Sequence, residues 1–104
     1  MLICCAAIFG CSRKTAQRTG AEQLKLGREL FAYHCSACHP DGGNLIYPAK
    51  TLQRMVMAAN GITTPGQIVD RMRNPGPRMK RFNKATISDQ DATAIAQYIL
   101  QAFR

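Results

Sequence analysis

The chain has 104 residues, a formal net charge of +8, five cysteines and no tryptophan. That length holds one domain and excludes a two-domain enzyme with an interdomain cleft, while a hydrophobic content of 46% excludes a chain disordered throughout. Aromatic residues make up only 7%, so the protein core alone is thin and calls for a disulfide, a metal or a cofactor; the odd cysteine count argues against a pure disulfide framework.

Residues 1–11, MLICCAAIFGC, carry no charge. A helix of that length, rising about 1.5 Å per residue, falls short of the roughly 30 Å core of a bilayer. The stretch therefore reads as the apolar part of a secretory signal. Its end, Ile8-Phe9-Gly10-Cys11, resembles the cleavage site of bacterial lipoproteins, where an aliphatic and a small residue precede a lipidated cysteine. That resemblance implies that Cys4 and Cys5 leave with the signal, that lipid on Cys11 attaches the chain to a membrane, and that the protein works on the periplasmic side. An ordinary signal peptide is the other reading. Residues 12–21 are polar and basic without apolar periodicity, which predicts a flexible tether. The domain then spans 22–104, with no internal repeat.

Four short helices are expected. In the first, Leu24, Gly27, Leu30 and Phe31 share a face, and the segment runs into Tyr33-His34. The second covers Thr51 to Ala59, with Leu52, Met55, Val56 and Ala59 as its stripe and Met57 off it. The third opens at Thr64-Pro65, where Thr64 caps, Pro65 takes the first position and Gln67 completes a capping box; it ends before Pro75. The fourth opens with Ser88 and Asp91 and carries Ala92, Ile95, Ala96, Ile99 and Phe103 on one face. No segment alternates as a strand, so the fold class is all-α. Two long connections, Pro40 to Lys50 and Asn74 to Ile87, leave the helices little to pack on except something non-protein.

Cys35-Ser36-Ala37-Cys38-His39 supplies that centre. C-x-x-C-H is the attachment motif of c-type haem. Two thiols three positions apart on a helical turn reach two vinyl groups on one porphyrin edge, and the next residue, His39, lies beneath the iron as proximal ligand. A thioredoxin-like pair needs a βαβ setting, which is missing, and a zinc site from His34, Cys35, Cys38 and His39 would be crowded and lack a distant second ligand pair. One covalent haem c per chain is expected on Cys35 and Cys38. His34 is on the proximal side and poorly placed for the sixth position. Met79 is the preferred distal ligand, because its segment Asn74 to Phe82 is stiffened by Pro75 and Pro77 and can turn at Gly76. Met72 is the alternative, although it falls on an apolar helical face where methionine is ordinarily core filler.

From about Leu24 to Phe103 the chain resembles a class I monohaem cytochrome c, with the cytochromes c6 and small bacterial cytochromes as nearest kin. The matching pieces are Gly27-x-x-x-Phe31, the haem motif, Gly42-Gly43-Asn44 with Lys50-Thr51-Leu52, Pro77 to Phe82 around Met79, and Ile87-Ser88-Asp89 leading to Tyr98-Ile99. Lys80, after Met79, departs from the small residue or proline usual there. The resemblance implies a cytochrome c fold, four helices around the haem, with the first and last helices crossing where Gly27 and Phe31 meet Tyr98. It implies a backbone carbonyl, with that of Pro48 the natural candidate, holding the ring N–H of His39. Asn44, Lys50 and Arg78 are the residues to inspect as propionate partners.

Iron ligated by His39 and Met79 has no open position, which makes the expected function single-electron transfer between redox partners outside the cytoplasm, not catalysis. The alternative is a small haem enzyme or gas sensor whose distal ligand leaves readily. Arg71, Arg73, Arg78, Lys80, Arg81, Lys84 and Arg104 concentrate base toward the C-terminus. An exported haem protein rarely meets nucleic acid, so the expected partners are acidic redox proteins, steered transiently to Arg78, Lys80 and Arg81 beside the ligand loop.

Overall fold

The computed structural model describes residues 18–104. The signal expected at 1–11, its Cys11, and the tether up to residue 17 lie outside the described residues. Within them there are four α-helices, one 3-10 turn and no strand. Helix α1 spans Gly20–His34, the 3-10 turn Pro40–Gly42, α2 Arg54–Ala59, α3 Pro65–Arg73 and α4 Asp89–Ala102. No helix among the described residues is long and apolar enough to cross a membrane.

Helix α1 begins at Gly20, earlier than its apolar face, because Thr19 caps it by accepting from the Glu22 N–H. Gly20 and Ala21, read from composition as the end of the tether, are thus its first turn. Helix α3 has the full capping box: the Thr64 hydroxyl accepts from the Gln67 N–H, and Gln67 Oε1 accepts from the Thr64 N–H at 3.1 Å. Ser88 caps α4 through the Asp91 N–H at 3.1 Å.

Helix α2 starts at Arg54 rather than Thr51. Thr51 turns its hydroxyl toward the Gln53 N–H, and the Arg54 N–H donates to the Phe103 carbonyl at 2.8 Å. Leu52 is therefore not on the helix, and the stripe counted from it does not apply: Met57 is 3% exposed and in the core, while Met55 is 85% exposed.

The core is framed by α1, α3 and α4, with Met57 of α2 and Phe82 and Ile87 of the last connection packed into it. Helix α1 crosses α4 where Gly27 meets Ala94 and Tyr98; a Cβ on Gly27 would lie 2.8 Å from Tyr98 Cβ and closer still to the Ala94 carbonyl oxygen. Phe31 packs on Tyr98 and Phe103, with centroids 5.5 and 5.3 Å away. Such tilted aromatic contacts add to the area they bury. Ile87 and Ile95 are the largest fully buried side chains, and Met72, Phe82 and Ile99 complete the cluster around them. The expected crossing of the first and last helices, and the all-α class, are both found.

Candidate haem site

Cys35 caps the C-terminus of α1, its N–H donating to the Phe31 carbonyl. The chain then coils once more: the His39 N–H donates to the Cys35 carbonyl at 2.9 Å, and the Cys38 N–H to the same oxygen at 3.2 Å. One turn thus gathers Cys35, Cys38 and His39 immediately beyond a rigid helix. Both thiols are free; Cys35 is half-buried and Cys38 exposed. Burial, reinforced by the neighbouring Cys38 sulfur, pushes the Cys35 thiol up to about 11.

His39 is fixed by the loop that follows. Its Nδ1 lies 2.8 Å from the Gly43 carbonyl oxygen. A carbonyl can only accept, so Nδ1 carries a proton, and in the neutral ring Nε2 is the nitrogen with the free lone pair. Gly43, not Pro48, supplies the carbonyl. The reason is the turn at Pro40–Gly42, in which Asp41 and Gly42 take φ of 51° and 78° and carry the chain back over the imidazole. Gly42 is required twice over, because a Cβ there would sit 2.5 Å from the Phe103 ring. The Leu52 N–H then donates to the Gly42 carbonyl at 2.7 Å, closing the loop's far end.

Asn44 is engaged within that loop. Its Nδ2 donates to the Lys50 carbonyl, and its Oδ1 accepts from the Ile46 and Tyr47 N–H groups at 3.1 and 2.7 Å. It is a staple of the loop, with one amide N–H spent on the Lys50 carbonyl. Lys50 reaches over the Tyr47 ring, with Nζ 5.0 Å from the centroid, and Arg78 is exposed.

Of the two methionines considered for the distal position, Met72 is 4% exposed and packed in the core of α3, whereas Met79 is 39% exposed in the connection from α3 to α4. This connection is brought to the end of α1: the Phe82 ring stands edge-on to His34, centroids 6.0 Å apart. Met79 precedes Phe82 by three positions and His34 directly precedes Cys35, so both segments meet at one end of the molecule. Arg78, Lys80 and Arg81 around Met79 are exposed, and Lys80 Nζ lies 5.4 Å from the Phe82 centroid. None of the three is in an ion pair among the described residues.

Arg73 went unremarked in the sequence except as part of a basic cluster. Its guanidinium is largely covered, donating from Nη1 to the Phe82 and Ile87 carbonyls at 3.2 and 2.9 Å and from Nη2 to Asp89 at 2.8 Å. Nothing local marks it, since its partners lie 9 to 16 positions away. The donor set is of the kind that haem c takes: two unpaired thiols on one turn, an imidazole anchored through Nδ1, and a thioether on the connection that reaches the end of α1.

A family model described as cytochrome c oxidase, cbb3-type, subunit III matches residues 22–99. The cytochrome c6 of Cyanidium caldarium is 35% identical over 77 residues, which is 74% of this chain and 69% of the relative. Among solved structures, OmcF, outer membrane cytochrome F from Geobacter sulfurreducens, is 47% identical with a TM-score of 0.73, covering 75% of this chain and 99% of that one. Cytochrome c6C from Synechococcus sp. PCC 7002 is 31% identical with a TM-score of 0.70, over 75% and 94% of the two chains.

Proposed function

The chain belongs to the small monohaem class I cytochromes c, the group of the cytochromes c6 and the cbb3-type domain, and on that premise we propose that it carries single electrons between redox partners outside the cytoplasm, through iron held by His39 and Met79. It is an electron carrier and not an enzyme. Haem c, when bound, supplies the one-electron couple. Cys35 and Cys38 hold it covalently, and His39 Nε2 is the proximal ligand.

The observation that carries the reading is the Nδ1–H of His39 donating to the Gly43 carbonyl. That bond fixes the tautomer and the ring plane, raises the basicity of Nε2, and leaves that atom with one role. Met79 supplies the sixth ligand from a loop stiffened by Pro75 and Pro77. A thioether would favour the reduced ion more than a second imidazole, and His39 and Met79 together would leave oxygen or peroxide no place to bind.

Arg78, Lys80 and Arg81 form the docking rim. They are exposed, unpaired among the described residues and adjacent to Met79, so they attract an acidic partner to the loop nearest the iron. The contact is small and short-lived, as turnover of a carrier requires. Lipid on Cys11 would tether the domain on the periplasmic side of a membrane, with residues 12–19 as the link.

Carbon monoxide tests the closed site. The reduced protein at neutral pH should bind it only slowly and weakly. Rapid, tight binding would replace the carrier with a small haem enzyme or gas sensor.

A further inference from the structure

We propose that Arg73 is a positioning residue for the distal ligand: one guanidinium ties the two ends of the Met79 loop and so sets where the Met79 sulfur can go. The inference rests on Met79 as ligand.

The connection from α3 to α4 runs from Asn74 to Ser88. A segment of that length has many conformations unless it is tied. The backbone ties it once near Met79, where the Phe82 N–H donates to the Met72 carbonyl at 2.9 Å. Between Pro75 and Arg81 no backbone N–H donates to another backbone group outside the helices. The position of Met79 therefore depends on the stiffness of its own prolines and on how firmly Phe82 is held.

Arg73 holds Phe82 from the other side. Its Nη1 reaches the carbonyl of Phe82 as the N–H of the same residue reaches back to Met72, so residue 82 is gripped at both backbone groups. The same Nη1 takes the Ile87 carbonyl, and Nη2 takes Asp89 at the start of α4. The end of α3, the end of the Met79 segment and the start of α4 are thereby locked by one planar group. Phe82 and Ile87, the residues whose carbonyls are taken, are 7% and 1% exposed and plug into the core. Arg73 Nε is buried without a partner. The side chain gives up the solvation of one donor to reach its three acceptors.

Lysine keeps the charge but not the fork, because a single ammonium cannot span two carbonyls and a carboxylate in this arrangement. The ion pair to Asp89 is a separate matter. Asp89 is exposed and shared with Lys84 at 3.2 Å, so removing its charge leaves both carbonyl contacts of Arg73 in place.

The experiment is a titration of the ferric holoprotein with imidazole, which competes with the distal ligand, following loss of the far-red iron–sulfur band. Loss of hydrogen bonds from a charged donor corresponds to R73K binding imidazole at least about tenfold more tightly than wild type. D89N, which removes only an exposed pair, should stay within about threefold of wild type. G27A, destabilising at the α1–α4 crossing and sharing no partner with Arg73, controls for general loosening and should also stay near wild type. Wild-type affinity in R73K overturns the proposal, as does an equal tightening in D89N or G27A, which would assign the effect to the ion pair or to global stability. If M79A keeps the far-red band, the ligand assignment itself has failed, and that result is distinct. Should R73K not take up haem, the wild-type reduced protein decides by NMR: resolved, slowly exchanging Arg73 Nη protons support the tie, and averaged, fast-exchanging ones refute it.

Discussion

Gly27→Ala isolates the helix crossing on which the whole domain is framed. Two effects oppose each other. Alanine in a helix interior is favoured over glycine by about 1 kcal/mol. Against that, the new methyl group would lie 2.8 Å from Tyr98 Cβ and closer to the Ala94 carbonyl. Both neighbours are parts of α4 that no rotamer change can move. Restoring ordinary contact requires the helices to part by roughly 1 Å, which also loosens Phe31 against Tyr98 and Phe103. Overpacking of this kind costs about 1–3 kcal/mol, so the net effect is a loss of up to about 2 kcal/mol. Guanidinium unfolding of the holoprotein should show a lower midpoint with an unchanged slope. A melting temperature lower by several degrees, at about 4–8 °C per kcal/mol, should accompany it. A midpoint that rises would mean that helix propensity outweighs the crossing, and the close approach of α1 and α4 would be refuted.

Arg78 adopts φ of 76° immediately before Met79. Since a left-handed residue other than glycine costs about 1–2 kcal/mol and glycine returns about 0.5–1 of it through chain entropy, R78G should raise stability by up to about 1 kcal/mol in the same unfolding assay; a fall would place the strain elsewhere. The Asp89 carboxyl is held below its ordinary 3.8 first by its hydrogen bond from Arg73 and then by that from Lys84. Its contribution is thus present above that value and lost as pH falls through the folded one. Wild-type stability should drop more steeply than that of D89N as the pH is lowered below about 4, and parallel acid curves would contradict the pair. The electron-transfer rate to an acidic partner should fall as salt rises, and the fall should flatten in the variant carrying R78E and R81E. A salt response unchanged by those reversals would move the docking site elsewhere.

What could be read from the sequence was what is encoded locally. The haem motif, the Thr64–Gln67 capping box and the Ser88 cap each depend on residues within four positions, and each lies where the spacing puts it. Gly27 and Phe31 were placed against Tyr98 through family resemblance, and the structure has that packing. The remaining site features depend on loop closure. Gly43 rather than Pro48 meets His39, because the left-handed turn at Asp41-Gly42 brings the chain back sooner than the proline would suggest. Asn44 staples its own loop through both amide atoms, with acceptors and donors on residues 46, 47 and 50 that its own position does not announce. Met57 and Met55 exchange places because α2 begins at Arg54, where the Phe103 carbonyl receives its N–H, and a periodicity counted from Leu52 carries no information about that contact. Arg73 was invisible for the same reason: its acceptors are two distant carbonyls, and a carbonyl has no sequence signature.

The account stands most directly on the identity of the sixth iron ligand. The ferric protein should show the weak far-red band of iron–sulfur ligation. Replacing Met79 with Ala should abolish that band, while the same change at Met72 lowers stability and leaves the band intact. A band that survives in M79A, or vanishes only in M72A, would contradict the account.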